Sequence, residues 1–350
     1  MKKKILTIFS GGTICTLIKK GVMDTNDEAS YALIDFYKKS DSFCRDQVEF
    51  FDGESFHILS ENMTIKNWNR LTGYFYENIE KFKEYDGIIV AHGTDTLAYT
   101  TSLFSVLLKG YEIPVIFVSS NFSIMKEDGT ENEKANGNAN FKAAVECIYK
   151  GIGPGVYAIY KNPEDNRVYL HNGGHLIQCD IYDDNFYSRD PYDITDINNL
   201  DNYNNLWHQE KDGKNNMPIL KRKDNELKGC VLKINPYVGI NYDSFNLSNF
   251  KAVLHGTYHS GTACVVKNKK DADYDSTSIL YLIDKCAGLN IPFYYSPSLT
   301  GEGFNVYASV PYITNHITDG IKPTVLYGET EETVYAKLLV KYSFGIDDLI

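Results

Sequence analysis

The stretch IIVAHGTDT at residues 88–96 decides how the rest of this 350-residue chain is interpreted. It opens with an apolar run of the length expected for a fully buried strand, and the run ends in a small polar turn that contains glycine. The turn leads directly into residues 97–109, whose apolar pattern predicts a helix. In parallel sheets ligands bind outside the carboxyl ends of the strands, where such turns lie. Thr94 and Asp95 are therefore the first candidates for chemistry, and His92 is expected to pack behind the turn.

The same alternation of strand and helix is predicted on both sides of this stretch. Strands are predicted at residues 4–9 and 114–118, and helices begin after Thr64 and after Asn138 or Asn140. The predicted core stripe of the Thr64 helix consists of Trp68, Leu71, Phe75, Ile79 and Phe82. Repeated alternation with short connections favours right-handed crossovers and a parallel sheet covered on both faces.

Small polar residues follow four of the predicted strands. These strand ends are Ser10 with Thr13, Ser60 with Glu61, Thr94 with Asp95, and Ser119. In a parallel sheet all four lie along one edge, so we expect them to share a crevice. Gly11 and Gly12 allow the backbone at the first strand end to approach a ligand closely. The polar residues 16–29 that follow show no clear period, which predicts a mobile loop that could serve as a lid.

A change of composition divides the chain into two predicted domains. Residues 189–225 are rich in asparagine and aspartate, so residues 191–226 are interpreted as an irregular linker between domains at 1–190 and 227–350. In the second domain strands are predicted at 229–234, 251–254 and 292–295, helices at 276–289 and 330–342, and polar strand ends at 255–257 and 296–303. The predicted fold is α/β, with a Rossmann-like parallel-sheet N-terminal domain and a smaller α/β C-terminal domain.

Composition makes several classes of function improbable. The formal net charge is -11 and no basic stripe is present, so a nucleic-acid partner is not expected. Seven cysteines without a Cys-x-x-Cys pair predict reduced thiols in a cytoplasmic protein and no zinc site. The apolar run at residues 5–9 is too short for a signal peptide, and no membrane span is predicted. No cofactor or metal is expected.

The candidate residues favour covalent catalysis by a hydroxyl group. Two threonines, an aspartate and a serine are predicted at one crevice, without a serine–histidine or paired-carboxylate signature. Threonine is a weak nucleophile unless a neighbouring base takes its proton, and backbone N–H groups of the glycine turns could hold the resulting oxyanion. The predicted catalytic residues are Thr13, Thr94 and Asp95, and the predicted substrate-binding residues are Gly12, Ser60, Glu61, Gly93 and Ser119. The expected chemistry is acyl transfer to water.

Two motifs resemble the signatures of a known family. SGGTI at residues 10–14 is similar to the first signature of the bacterial-type L-asparaginase/glutaminase family, usually TGGTI, and HGTDT at residues 92–96 matches the second in full. The resemblance implies that Thr13 attacks the side-chain amide of asparagine or glutamine and releases ammonia. Water would then cleave the acyl-enzyme that forms on Thr13. Thr94 would assist the second step, while Asp95 and Ser60 would bind the α-amino and α-carboxylate groups. It also implies a homodimer or homotetramer.

Two departures from the family pattern are visible. The family's catalytic lysine has no counterpart in residues 171–184, and Asp184 falls near its place. If no other group substitutes for the lysine, the rate loses the ~10²–10⁴-fold contribution of general-base catalysis. The family's lid tyrosine also lacks a clear counterpart: Val22 falls near it, and Tyr31 could reach the site only from a differently built lid. The candidates to replace the lysine are His171, His175, Lys161 and Arg167. The two histidines are more simply explained as hydrogen-bonded loop residues, and a metal pair is improbable beside Gly173-Gly174.

Two other functions remain open at this point. The missing lysine favours a catalytically weak or inactive relative that binds a small amino acid or amide as a sensor or regulatory protein. A third interpretation is the amidotransferase subunit of the same superfamily that makes glutaminyl-tRNA. The acidic charge disfavours this interpretation. That subunit also carries an extra domain before its first motif, whereas the first motif of this sequence begins at residues 5–10.

Overall fold

The computed structural model describes the whole chain except residues 20, 26, 208–218, 222–225, 268–273 and 297–306. The chain divides into two compact units, Met1–Lys223 and Asp224–Ile350. In the described part of the chain no helix is both long and apolar enough to cross a bilayer.

The first unit is an α/β unit built on one large sheet. Its strands are β1 (Lys3–Gly11), β2 (Thr16–Lys19), β3 (Val22–Thr25), β4 (Val48–Ile58), β5 (Gly87–Ala91), β6 (Pro114–Val118), β7 (Gly155–Lys161), β8 (Val168–Asn172), β9 (Leu176–Ile177), β10 (Tyr187–Ser188) and β11 (Tyr192–Asp193). Its helices are α1 (Asp27–Lys39), α2 (Ile65–Asn78), α3 (Leu97–Leu107), α4 (Gly137–Tyr149) and α5 (Leu200–Trp207).

The large sheet has the strand order β11-β8-β7-β6-β5-β1-β4. Five neighbouring strands run parallel, namely β4, β1, β5, β6 and β7. At the edge next to β7, strands β8 and β11 pair antiparallel. Every residue of β5 and β6 is buried, as expected for central strands with both faces covered. The four strands with polar carboxyl ends, β4, β1, β5 and β6, are neighbours, so those ends lie along one edge of the sheet as predicted.

Helix α2 follows the expected sequence signals. The Thr64 hydroxyl accepts a hydrogen bond from the Asn67 N–H at 3.3 Å and caps the first turn. All five residues of the predicted core stripe are buried. The helix ends at Asn78, however, so Ile79 and Phe82 belong to the turn and the short 3₁₀ helix Lys81–Glu84 that follow it.

Three local predictions in this unit are wrong. Residues 16–29 contain the antiparallel hairpin β2–β3 and the start of α1 rather than an irregular loop. Helix α4 begins at Gly137 after Asn136, two residues or more before the predicted caps.

The third error is the predicted irregular linker. In its first part β11 pairs with β8 in the large sheet, and α5 follows. Ile194, Leu200 and Tyr203 are buried in the core of this unit, because apolar packing outweighs the loop-like composition around them. The rest of the proposed linker lies largely outside the described residues.

The second unit is a smaller α/β unit. Its strands are β12 (Val231–Ile234), β13 (Ala252–His255), β14 (Phe293–Tyr295) and β15 (Thr324–Val325), and its helices are α6 (Ile279–Gly288), α7 (Ser309–Thr314) and α8 (Glu331–Phe344). The four strands form a parallel sheet in chain order. The Thr330 hydroxyl accepts from the Thr333 N–H at 3.3 Å and caps α8. The predicted polar strand end at 296–303 lies outside the described residues beyond Ser296.

Candidate active site

The turn after β1 is in backbone contact with the turn after β5. Gly12 has φ 75° and ψ 179°, a conformation that is essentially restricted to glycine, and its N–H donates to the Ile58 carbonyl at 2.8 Å. A Cβ on Gly12 would lie only 2.1 Å from the Cα of Gly93. The residues that follow these two glycines, Thr13 and Thr94, therefore start from adjoining turns.

The turn after β4 packs against the turn after β5. A Cβ on Gly93 would lie 2.3 Å from the Cβ of Ser60. The Ser60 hydroxyl donates to Asp95 Oδ2 at 2.9 Å and accepts from the Asp95 N–H at 3.3 Å, while the Thr96 hydroxyl donates to the Ser60 carbonyl at 3.2 Å. Ser60 is buried and Asp95 is exposed, so the serine fixes a carboxylate that faces solvent.

His92 lies behind this turn, as expected. It is fully buried, and burial lowers its pKa to about 4. The neutral imidazole donates from Nδ1 to the Gly93 carbonyl at 2.8 Å, which fixes the tautomer. His92 therefore supports the glycine turn from the protein interior.

The remaining predicted substrate-binding residues differ in exposure. Ser119 at the end of β6 is fully buried, and its hydroxyl has no hydrogen-bond partner among the described residues. Its carbonyl accepts from Asn140 Nδ2 at 2.8 Å. Glu61 is exposed beside Ser60. The Ser10 hydroxyl, at the end of β1, donates to the Ala91 carbonyl at 2.8 Å and ties β1 to β5.

A cleft of about 330 Å³ opens on Thr94 and Asp95. It is also lined by Asn121, Tyr160, Gln178, Cys179, Asp180, Ile181, Tyr182, Asp183, Asp184 and Phe186. Four of its lining residues carry carboxylates, and among the described residues no lysine, arginine or histidine lines it. Of the predicted site residues, only Thr94 and Asp95 line this cleft; those that do not are Thr13, Gly12, Ser60, Glu61, Gly93 and Ser119.

None of the four residues considered as substitutes for the lysine lines this cleft. His171 is buried, its Nδ1 lies 2.9 Å from the Ser188 hydroxyl, and burial lowers its pKa to about 3. His175 Nδ1 lies 2.7 Å from a carboxylate oxygen of Asp190. The other two are also placed elsewhere: Arg167 is 3.5 Å from a carboxylate oxygen of Asp193, and Lys161 lies at the end of β7.

The two residues considered for the lid tyrosine lie away from the lining as well. Tyr31 is on α1, where its exposed ring packs edge-to-face on Phe9 with centroids 5.8 Å apart. Val22 is exposed on β3 of the hairpin.

Sequence reasoning did not identify Gln178, Asn121 or Tyr160 as parts of the site. Gln178 lies in the stretch where the lysine was sought, and its side chain donates to the Thr94 carbonyl at 2.9 Å. Tyr160 is buried, and burial raises the pKa of its phenol, so the phenol remains a hydrogen-bond donor at neutral pH. The only available signal was the position of Gln178 after a glycine turn, which by itself does not indicate a contact with Thr94.

Comparison with known proteins finds sequence similarity in the first half of the chain. Residues 4–173 match the family model described as Asparaginase, N-terminal. A glutamyl-tRNA(Gln) amidotransferase subunit from Methanosphaera stadtmanae is 28% identical over 175 residues, which are 49% of this chain and 37% of that protein. The L-asparaginase of Thermococcus kodakarensis is 37% identical over 81 residues, which are 23% of either chain. The matched stretches thus span well under half the length of these relatives.

The fold likeness extends further than the sequence likeness. The structure of the thermostable L-asparaginase from Thermococcus kodakarensis superposes with a TM-score of 0.65 at 19% identity and covers 99% of this chain and 94% of that one. The family match at residues 4–173 covers the part of the chain that contains the parallel strands of the large sheet and the two signature turns. The N-terminal part of the chain is therefore similar to the asparaginase family, and the chain shares the asparaginase fold over nearly its whole length.

Proposed function

We propose that this protein is an amidohydrolase that cleaves the side-chain carboxamide of L-asparagine or a related amide. The observation that supports this proposal is the backbone contact between Gly12 and Gly93, because it brings the Thr13 and Thr94 turns together. Two hydroxyl groups on adjoining turns suit a reaction in which one attacks an acyl group and the other assists its release.

In the proposed reaction Thr13 Oγ1 attacks the amide carbon. The C–N bond breaks, and the departing nitrogen takes up the proton that Thr13 loses. Ammonia is released, and the acyl group remains on Thr13 as an ester. A water molecule oriented by Thr94 then cleaves the ester and returns a proton to Thr13. Backbone N–H groups of the two glycine turns, other than that of Gly12, which is bound to the Ile58 carbonyl, would hold the oxyanion that forms in each step.

The proposed substrate contacts come from the neighbouring strand ends. The Asp95 carboxylate would bind the substrate's amino group. The Ser60 hydroxyl, which donates its one proton to Asp95 in the free protein, would turn to bind the substrate's carboxylate. Glu61 and Ser119 complete the proposed binding residues. We further propose that the protein is cytoplasmic, that it works as a homodimer or homotetramer, and that neither nucleic acid nor a membrane is its partner.

Two observations favour second candidates. Several curated relatives are named as glutamyl-tRNA(Gln) amidotransferase subunits, which supports glutamine as an alternative source of ammonia. The cleft has no cationic lining residue in the described part of the chain, which supports a relative that binds a small amino acid and hydrolyses it weakly.

Ammonia release from L-asparagine and L-glutamine separates these candidates. We expect release by the wild type, a loss of ~10³-fold or more in Thr13→Ala, and partial retention in Thr13→Ser, which keeps a hydroxyl. Thr130→Ala is the matched control, because Thr130 is exposed and its hydroxyl donates to the nearby Asp128 carboxylate, away from the candidate site. The hydrolase proposal fails if the wild type binds L-aspartate but releases no ammonia from either amide.

A further inference from the structure

We propose that Gln178 is a positioning residue that holds the Thr94 turn in its working orientation. Its side-chain amide donates from Nε2 to the Thr94 carbonyl at 2.9 Å, and its Oε1 accepts from the Ala98 N–H at 3.2 Å. One carboxamide therefore bonds to the first residue of the turn and to the first turn of α3. This inference rests on the proposed function, in which Thr94 takes part in the reaction.

The turn closes through its own main chain, since the Leu97 N–H donates to the Thr94 carbonyl, but in the described part of the chain its side chains do not cap α3. The first N–H groups of a helix lack partners within the helix, and Thr96, which precedes α3, makes no side-chain cap hydrogen bond. Gln178 supplies that cap from a distant segment, just after β9. Because it also binds the Thr94 carbonyl, it couples the start of α3 to the 3₁₀ turn Thr94–Thr96.

Gln178 completes a clamp on Thr94. On one side Gly93 is packed against Gly12 and Ser60. On the other side the Thr94 carbonyl is bound by Gln178, so the backbone that carries the hydroxyl is fixed before and after its Cα. A displacement of about 1 Å between reacting groups can reduce a rate by ~10²-fold, which makes such a clamp relevant to catalysis.

The chemistry of the side chain limits its role to positioning. A neutral carboxamide cannot take up a proton at ordinary pH, so Gln178 does not replace the family's lysine as a base. It occupies the stretch where that lysine was expected, and it acts on the main chain of Thr94 rather than on its hydroxyl. Its loss should therefore lower kcat more than it changes KM.

The test uses two substitutions and a matched control. Gln178→Met keeps the length of the side chain and removes its hydrogen bonds to Thr94, Ala98 and Cys179. Gln178→Glu keeps an acceptor for Ala98 and loses the donor to Thr94. Asn78→Ala is the control, because the Asn78 carboxamide also donates to a main-chain carbonyl, that of Tyr74 at 2.9 Å, at the far end of α2. Steady-state ammonia release and hydrogen exchange at the Ala98 N–H are measured on each full-length variant.

We expect kcat to fall ~10–100-fold in Gln178→Met and Gln178→Glu, with KM changed less than ~3-fold. Exchange at Ala98 should accelerate ~10-fold in Gln178→Met only. If Gln178→Met matches Asn78→Ala in kcat, or if exchange at Ala98 is unchanged, the positioning role is overturned. If the wild type itself releases no ammonia, the proposed function fails, and exchange at Ala98 still decides whether Gln178 holds the turn.

Discussion

The contact between Gly12 and Gly93 predicts a large effect for Gly12→Ala. Alanine at φ 75° and ψ 179° costs ~1–3 kcal/mol in backbone strain. The new methyl group would also lie 2.1 Å from Gly93 Cα and 2.3 Å from Gly93 N, so the two turns must separate, which adds ~1–3 kcal/mol of overpacking. We therefore expect the free energy of unfolding to fall by ~2–6 kcal/mol. Since the Thr13 and Thr94 turns move apart, kcat/KM should fall by ~10²-fold or more.

Urea denaturation followed by tryptophan fluorescence measures this effect, since Trp68 and Trp207 both belong to the first unit. Gly151→Ala is the matched control, because Gly151 has a similar φ of 80° but no atom within 4 Å of the position that the new methyl group would occupy. It should lose only ~1–2 kcal/mol and keep its activity. Equal losses in stability and activity for the two variants would refute the reasoning from close approach.

Three further predictions follow from the site. Because burial lowers the pKa of His92 from 6.5 to about 4, the folded state binds fewer protons than the unfolded one between these values. The free energy of unfolding should thus fall by up to ~3 kcal/mol as pH drops from 6.5 to 4. His92→Phe should remove this pH-dependent part of the free energy, and the same pH slope in the variant as in the wild type would contradict the prediction. Ser60→Ala should raise KM for the amide ~10-fold through a less ordered Asp95, and an unchanged KM would exclude that contact from binding. The double variant Asp183→Asn with Asp184→Asn should lower KM for substrates that carry a carboxylate by ~2–10-fold, and the gain should shrink at high salt; an unchanged KM at low salt would show that these charges do not act on the substrate.

The parts of the fold that the sequence predicted are those with local, repeated signals. The buried run before His92, the capped helix after Thr64 and the short connections between them are enough to specify a parallel sheet, and its polar strand ends follow from that topology. The two signature turns at Gly12 and Gly93 were identified from their motifs, SGGTI and HGTDT.

The parts that were missed depend on contacts between distant residues. The hairpin β2–β3 has strands of only four residues, which carry little periodic signal. Leu200 and Tyr203 lie in an asparagine-rich segment, and only their burial in the core shows that the segment is folded. Gln178 was missed because a hydrogen bond from a side chain to the main chain of Thr94 leaves no trace in the spacing of residue types.

A crystal structure with L-aspartate bound would show whether Thr13 and Thr94 act on one ligand. We expect the hydroxyl oxygens of Thr13 and Thr94 both to lie within hydrogen-bond distance, about 3 Å, of the same side-chain carboxylate of the ligand. An aspartate that contacts Thr94 in the cleft while the Thr13 hydroxyl points away from it would contradict the account.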